Sequence, residues 1–93
     1  MSVEVRHNAD AERYEIFVDG QMAGLTEAQP LDGDVVLFPH TEIDSAFEGQ
    51  GLASKLVAGA LDDIRARGLR IEVTCPYILA WLPKHPEYAD LLA

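Results

Sequence analysis

A single cysteine, Cys75, stands in 93 residues, so no internal disulfide can form. A lone thiol fits a reducing compartment and reads either as an inert core residue or as a reactive group. Basic side chains are scarce: seven Lys and Arg against sixteen Asp and Glu leave a formal charge of −9. That balance repels phosphate backbones and argues against a nucleic-acid partner, which calls for a basic face. It keeps a surface soluble, and it also suits a cationic or amine substrate. No apolar run approaches the roughly 20 residues that span a bilayer, so no membrane partner is expected. The stretch from Met1 to His7 has no basic region followed by an apolar one, unlike a signal peptide. The expected location is cytoplasmic. Aromatics are few, at 8%, yet hydrophobic residues reach 48%, enough to exclude disorder. The length suits one domain, residues 1–93, without repeats or low-complexity segments. No set of residues reads as metal ligands.

The first half reads as strands. Val3 to His7 alternates apolar and polar residues, Asn8 to Ala11 is turn-like, and Arg13 to Val18 is rich in aromatic and branched side chains. Asp19-Gly20 is a strong hairpin signal before a third strand, Gln21 to Thr26. Glu27 to Asp34 reads as a loop. A fourth strand begins at Val35-Val36-Leu37-Phe38 and continues through His40-Thr41-Glu42-Ile43-Asp44. Pro39 within it lacks a ladder donor and predicts an edge position or a distortion. Together these make an antiparallel meander.

After Asp44 the period changes. Leu52, Leu56, Val57, Ala60, Leu61 and Ile64 recur on one helical face, and Gly68 follows Arg65 and Arg67 as a stop signal. Leu69 to Thr74 alternates as a short strand, so a strand, a helix and a strand imply a right-handed parallel crossover. Pro76 opens a short helix through Leu82, and Glu87 to Leu92 forms a last turn or two. The expected class is α+β: a mixed sheet with helices layered on it.

Glu48-Gly49-Gln50-Gly51-Leu52-Ala53 lies between a strand and the start of the best amphipathic helix. Two glycines let the backbone turn sharply and let a ligand approach peptide N–H groups with no Cβ in the way. The first helical turn leaves N–H donors unpaired and carries the positive end of the macrodipole, a setting for phosphate oxygens. Ala53 keeps the approach open, and Lys55 can add a cation. A bare Gly-x-Gly is more often an ordinary tight turn, and it lacks both the dinucleotide fingerprint and the Lys-Ser/Thr of a Walker loop.

His40-Thr41-Glu42-Ile43-Asp44 leading to Phe47-Glu48-Gly49-Gln50-Gly51-Leu52-Ala53-Ser54-Lys55-Leu56-Val57 resembles the acetyl-CoA-binding region of the GNAT superfamily of N-acetyltransferases. More narrowly it is similar to very small, single-domain GNAT-like proteins of the YjdJ type, with which it shares the Cys75-Pro76 step and the His85-Pro86-Glu87-Tyr88 tail. The resemblance runs from about Val3 to Leu92. It implies a GNAT-like mixed sheet whose fourth and fifth strands splay apart to admit acetyl-CoA. The pyrophosphate would then sit on the loop and first turn, Glu48, Gly49, Gln50, Gly51, Leu52, Ala53, Ser54 and Lys55. The superfamily signature, Arg/Gln-x-x-Gly-x-Gly/Ala, falls on Glu48, Gly51 and Ala53. Glu48 departs from it, and a carboxylate beside a pyrophosphate must point away, so only its backbone can serve.

Amine acetylation needs a deprotonated nucleophile, stabilisation of an oxyanion and a proton for the leaving thiolate. His40 and Glu42, two apart on a strand, share a face and can relay a proton, or are plain polar residues of a wet face. Cys75, expected in the same gap opposite them, can protonate the leaving thiolate, accept the acetyl group, or simply pack. Tyr77 and Tyr88 read as core aromatics first and leaving-group acids second, and Trp81 with Ile78 and Leu82 as core. Lys84 and His85 are either phosphate contacts from the tail or solvated surface. The leading expectation is a minimal acetyl-CoA-dependent N-acetyltransferase. Without the two helices that usually follow the first strand in larger relatives, its site is open to a protein tail or polyamine, or is completed by a second subunit. The alternative is a non-catalytic CoA-binding or partner-binding module with the same fold.

Overall fold

The computed structural model describes residues 2–93. The meander forms as its alternation predicts: β1 (Val3–Asn8), β2 (Arg13–Val18) and β3 (Gln21–Glu27) pair antiparallel in chain order. Asp19 and Gly20 both take positive φ, the backbone that a two-residue hairpin turn requires. The segment read as a loop contains a short strand, β4 (Gln29–Pro30), one residue beyond β3. The single fourth strand expected over residues 35–44 is two hydrogen-bonded pieces, β5 (Val35–Phe38) and β6 (Thr41–Ile43).

Pro39 causes this division. Before it, β5 pairs with β4 in the register Gln29↔Leu37; after it, β6 pairs with β3 in the register Thr26↔Thr41. Leu37 to Thr41 is four steps, whereas Gln29 back to Thr26 is three, so one extra residue is accommodated around Pro39 as a bulge. A residue without an N–H fits where the ladder skips.

Helix α1 (Leu52–Ala66) follows and buries the six apolar residues its period picks out. Arg67 caps it and Gly68, at φ +71°, ends it. β7 (Arg70–Val73) then returns parallel to β5, with Val36↔Ile71 and Phe38↔Val73. Helix α2 (Pro76–Trp81) is followed by 3-10 turns at Leu82–Lys84 and Pro86–Leu91. Arg65 ties the tail to α1 through Asp90 Oδ2 at 2.7 Å and Glu87 O at 2.7 Å. Among the described residues no helix is long and apolar enough to cross a membrane.

Strand order is β1-β2-β3-β6 on one side and β4-β5-β7 on the other. Because β3 runs into β4 and β5 into β6, the two form one surface that parts beyond Phe38. There the Phe38 carbonyl accepts from both Thr74 N and Cys75 N, at 3.2 and 3.1 Å, and the pairing stops. β6 leaves with β3, while the chain after β7 turns into α2. This split is the gap between the fourth and fifth strands that the resemblance implies.

α1 packs against β1, β2 and β3 on one face, over Tyr14, Ile16 and Val18. The other face carries Glu4, Arg6 and Glu42 exposed, with Phe17 and Leu25 half-buried. Gly24 lets β6 lie close: a Cβ there would stand 2.6 Å from Glu42 O, so any larger residue displaces the edge strand.

Candidate active site

The approach to the loop is built locally. Asp44 accepts from Ala46 N at 2.9 Å, which caps the 3-10 turn Ser45–Phe47 and turns the chain out of β6. Gly49 and Gly51 follow at φ +81° and +71°, a left-handed backbone open to glycine at little cost. A Cβ on either would meet nothing within 4 Å, so the loop faces open space. Gly51 is itself the N-cap of α1 and offers no side-chain cap. Consequently the N–H groups of Gly49, Gln50, Gly51, Leu52, Ala53 and Ser54 have no acceptor among the described residues. Glu48 is different: its amide is directed back at Ser45 O at 3.4 Å, and its side chain is exposed. The run of free donors therefore starts at Gly49. Lys55 is exposed one residue past it.

Beside these amides lies a cleft of about 200 Å³ bordered by Ile43, Phe47, Leu52, Ser54 and Tyr77. β6 forms its wall. Asp44 N bonds Ala23 O and His40 O accepts from Glu27 N, so the even-numbered residues of this stretch point their backbone groups at β3. By the alternation of an antiparallel ladder, Thr41 and Ile43 turn theirs toward the split. The split thus has an unpaired strand edge on one side and a row of free amides at its mouth.

The three candidate catalytic residues do not converge. His40 Nε2 lies 3.2 Å from Glu42 Oε2, and both side chains are more than half exposed on the sheet face away from α1. Cys75 is on the helix side, 2% exposed, with its thiol 3.4 Å from Thr41 Oγ1. The expectation that Cys75 faces His40 and Glu42 is corrected by the bulge: the extra residue at Pro39 reverses the parity of the strand, so Thr41 shares the face of Phe38 and His40 does not.

Tyr77 is also corrected. Read first as a core aromatic, it is 39% exposed and borders the cleft. Burial of its phenol raises the pKa above the usual tyrosine value, opposed by the nearby Ser54 hydroxyl. Its place at the start of α2, just after Cys75-Pro76, was the available sequence signal. Tyr88 keeps a structural role: its hydroxyl donates to Asp62 at 2.8 Å, its ring lies 5.4 Å from Trp81, and burial with that bond pushes its pKa up to about 12. Ile78, Trp81 and Leu82 are buried as read. His85 stacks on Trp81 at 3.8 Å, and Lys84 is exposed.

Residues 13–91 match the family model of the GCN5-related N-acetyl-transferases. Among curated proteins the chain is similar to the protein NATD1 of Bos taurus, 38% identical over 52 residues, covering 56% of this chain and 46% of that protein. It is 26% identical to NATD1 of Xenopus tropicalis over 86 residues, 91% of this chain and 79% of the relative. The chain thus spans about half of the bovine relative and most of the frog one. Among solved structures a GCN5-like protein of Staphylococcus aureus shares the fold at a TM-score of 0.72 and 20% identity, covering 97% of this chain and 87% of that one. The PaiA N-acetyltransferase of Thermoplasma acidophilum, solved in complex with coenzyme A, aligns at a TM-score of 0.57 and 11% identity over 66% of this chain and 38% of its own. With most of its length inside the matched region, this chain belongs to the GCN5-related N-acetyl-transferase family.

Proposed function

We propose that this chain is a minimal single-domain N-acetyltransferase that moves an acetyl group from acetyl-CoA to an amine. The observation that carries the reading is the unbroken run of free amides from Gly49 to Ser54 beside the split edge of β6. Aligned donors at a helix start fit pyrophosphate oxygens, and the outward N–H and C=O of Thr41 and Ile43 fit the amide-bearing arm of CoA. Acetyl-CoA supplies the activated acyl group and a thiolate leaving group.

The chain's own residues supply positions and protons. The His40–Glu42 pair, open to solvent on the sheet face away from α1, takes the proton of the incoming ammonium. Tyr77, at the cleft with a raised pKa, holds its proton at neutral pH and donates it to the departing sulfur. Cys75 acts as wall, since it is buried against Thr41. The uncovered sheet face leaves room for a protein tail or a polyamine. The lone unpaired Cys75 suits a reducing, cytoplasmic compartment.

Calorimetric titration with acetyl-CoA tests the cofactor half of this reading, and absence of binding overturns it. Radiolabelled acetyl-CoA offered with a panel of amines and peptides tests the transfer. Binding without acetylation or CoA release across that panel favours a CoA-binding module, a reading to which Glu48 at the loop lends support by placing a carboxylate where the family has Arg or Gln.

A further inference from the structure

Trp81 lies on α2, four residues beyond Tyr77, and is 5% exposed. Its ring is held between His85, stacked at 3.8 Å, and Tyr88 at 5.4 Å. So fixed, its indole Nε1–H donates to Ser54 Oγ at 2.9 Å, in the first turn of α1. An indole N–H can only donate, so the Ser54 oxygen must accept, and the Ser54 hydrogen must turn elsewhere. A helical serine usually returns that hydrogen to a carbonyl one turn back, but among the described residues the bond of the Ser54 side chain is the one from Trp81. The remaining direction is the cleft that Ser54 borders.

We infer that Trp81 is a positioning residue for the cofactor loop: by occupying the Ser54 oxygen it makes the hydroxyl a fixed donor, aimed with the free amides at a phosphate. The inference rests on the reading that this loop binds acetyl-CoA. It gives the C-terminal tail a part in binding, because His85 and Tyr88 hold the indole that orients Ser54. A bond made only to satisfy a buried indole would leave cofactor affinity untouched when removed.

The test compares CoA with pantetheine, which lacks the phosphates, by titration of the whole chain. Trp81→Phe keeps an aromatic ring in the stack and loses the donor; Ser54→Ala loses the hydroxyl; Ser54→Thr restores one. Trp81→Phe and Ser54→Ala are each expected to weaken CoA by about tenfold or more, the size of one hydrogen bond to a charged group, and to leave pantetheine unchanged. The double variant is expected to lose no more than either single one, and Ser54→Thr to bind nearly as the unaltered chain does. Equal losses for CoA and pantetheine, or full additivity, overturn the inference. Because the chain has one tryptophan, its indole N–H gives one NMR signal, which needs no variant to read. That signal is expected to move with CoA and not with pantetheine, and a signal unmoved at saturating CoA overturns the inference. An unaltered chain that fails to bind CoA sinks the cofactor reading itself, whereas intact CoA binding with unaffected variants sinks only the role of Trp81.

Discussion

The Cys75 thiol donates to Thr41 Oγ1 at 3.4 Å, and this contact bridges the split between β6 and the chain that leaves β7. Thr41 Oγ1 in turn lies 2.8 Å from Thr26 Oγ1, whose side chain is fully buried. The closed end of the split is therefore a small hydrogen-bonded cluster. A sulfur held there at 2% exposure is a poor nucleophile, because reagents must first open the site. Iodoacetamide is expected to label Cys75 slowly in the native protein and rapidly in urea. Mass spectrometry after mixing with acetyl-CoA is expected to show no acetyl adduct. A hydroxylamine-labile adduct that disappears in Cys75→Ser overturns this assignment.

Gly51 separates two effects that one substitution would confuse. Its φ of +71° strains any β-branched residue, while its Cβ direction is open space facing the proposed phosphate site. Gly51→Asn tolerates the left-handed backbone and is expected to lower acetyl-CoA affinity about tenfold with little loss of stability. Gly51→Val is expected to lose affinity and also roughly 1–3 kcal/mol of stability. Calorimetry with thermal melts of both variants checks the pair, and unchanged affinity in Gly51→Asn removes the phosphate role.

Tyr77→Phe keeps the ring at the cleft and removes its proton. Turnover is expected to fall by a factor on the order of 10²–10⁴, with acetyl-CoA affinity held. The acid must be protonated to act, and its pKa is raised by burial. Its alkaline limb is therefore expected above the ordinary tyrosine value of about 10, and to vanish in Tyr77→Phe. Turnover equal to that of the unaltered chain assigns the proton to another group.

Asp63 accepts from Tyr14 Oη and from Arg67 Nε, both at 2.6 Å. Burial alone would raise its pKa, but the two donors outweigh burial and hold it below the usual carboxylate value. A depressed folded pKa contributes stability that is present above the unfolded value, about 3.9, and is lost as pH falls through the folded one. Asp63→Asn is expected to lower stability at neutral pH by about 1 kcal/mol and to flatten the acid side of the melting profile below about pH 4. An unchanged acid limb would assign it to other carboxylates.

Glu42→Gln leaves the loop and split untouched and removes a carboxylate 3.2 Å from His40. Its expected signature is reduced acetyl transfer at neutral pH, partly recovered as pH rises and the amine loses its proton unaided. Equal transfer rates at all pH values would remove the pair from the reaction.

The sequence by itself determined whatever depends on near neighbours. The buried stripe from Leu52 to Ile64, the Asp19-Gly20 hairpin, the glycine turn into α1 and the parallel return of β7 are all set by local period and turn chemistry. Pro39 marked a distortion in the same way. What the distortion did was decided only by pairing. Whether residue 40 or residue 41 shares a face with Phe38 depends on a one-residue difference between the Gln29↔Leu37 and Thr26↔Thr41 registers. Those registers join residues far apart in the chain, and because side chains alternate, one extra residue moves His40 and Glu42 to the face opposite Cys75. The exposure of Tyr77 and the bond from Trp81 to Ser54 are likewise tertiary. Both arise where α2 docks on the first turn of α1, and a contact between residues 27 apart in the chain leaves no mark on the period of either helix.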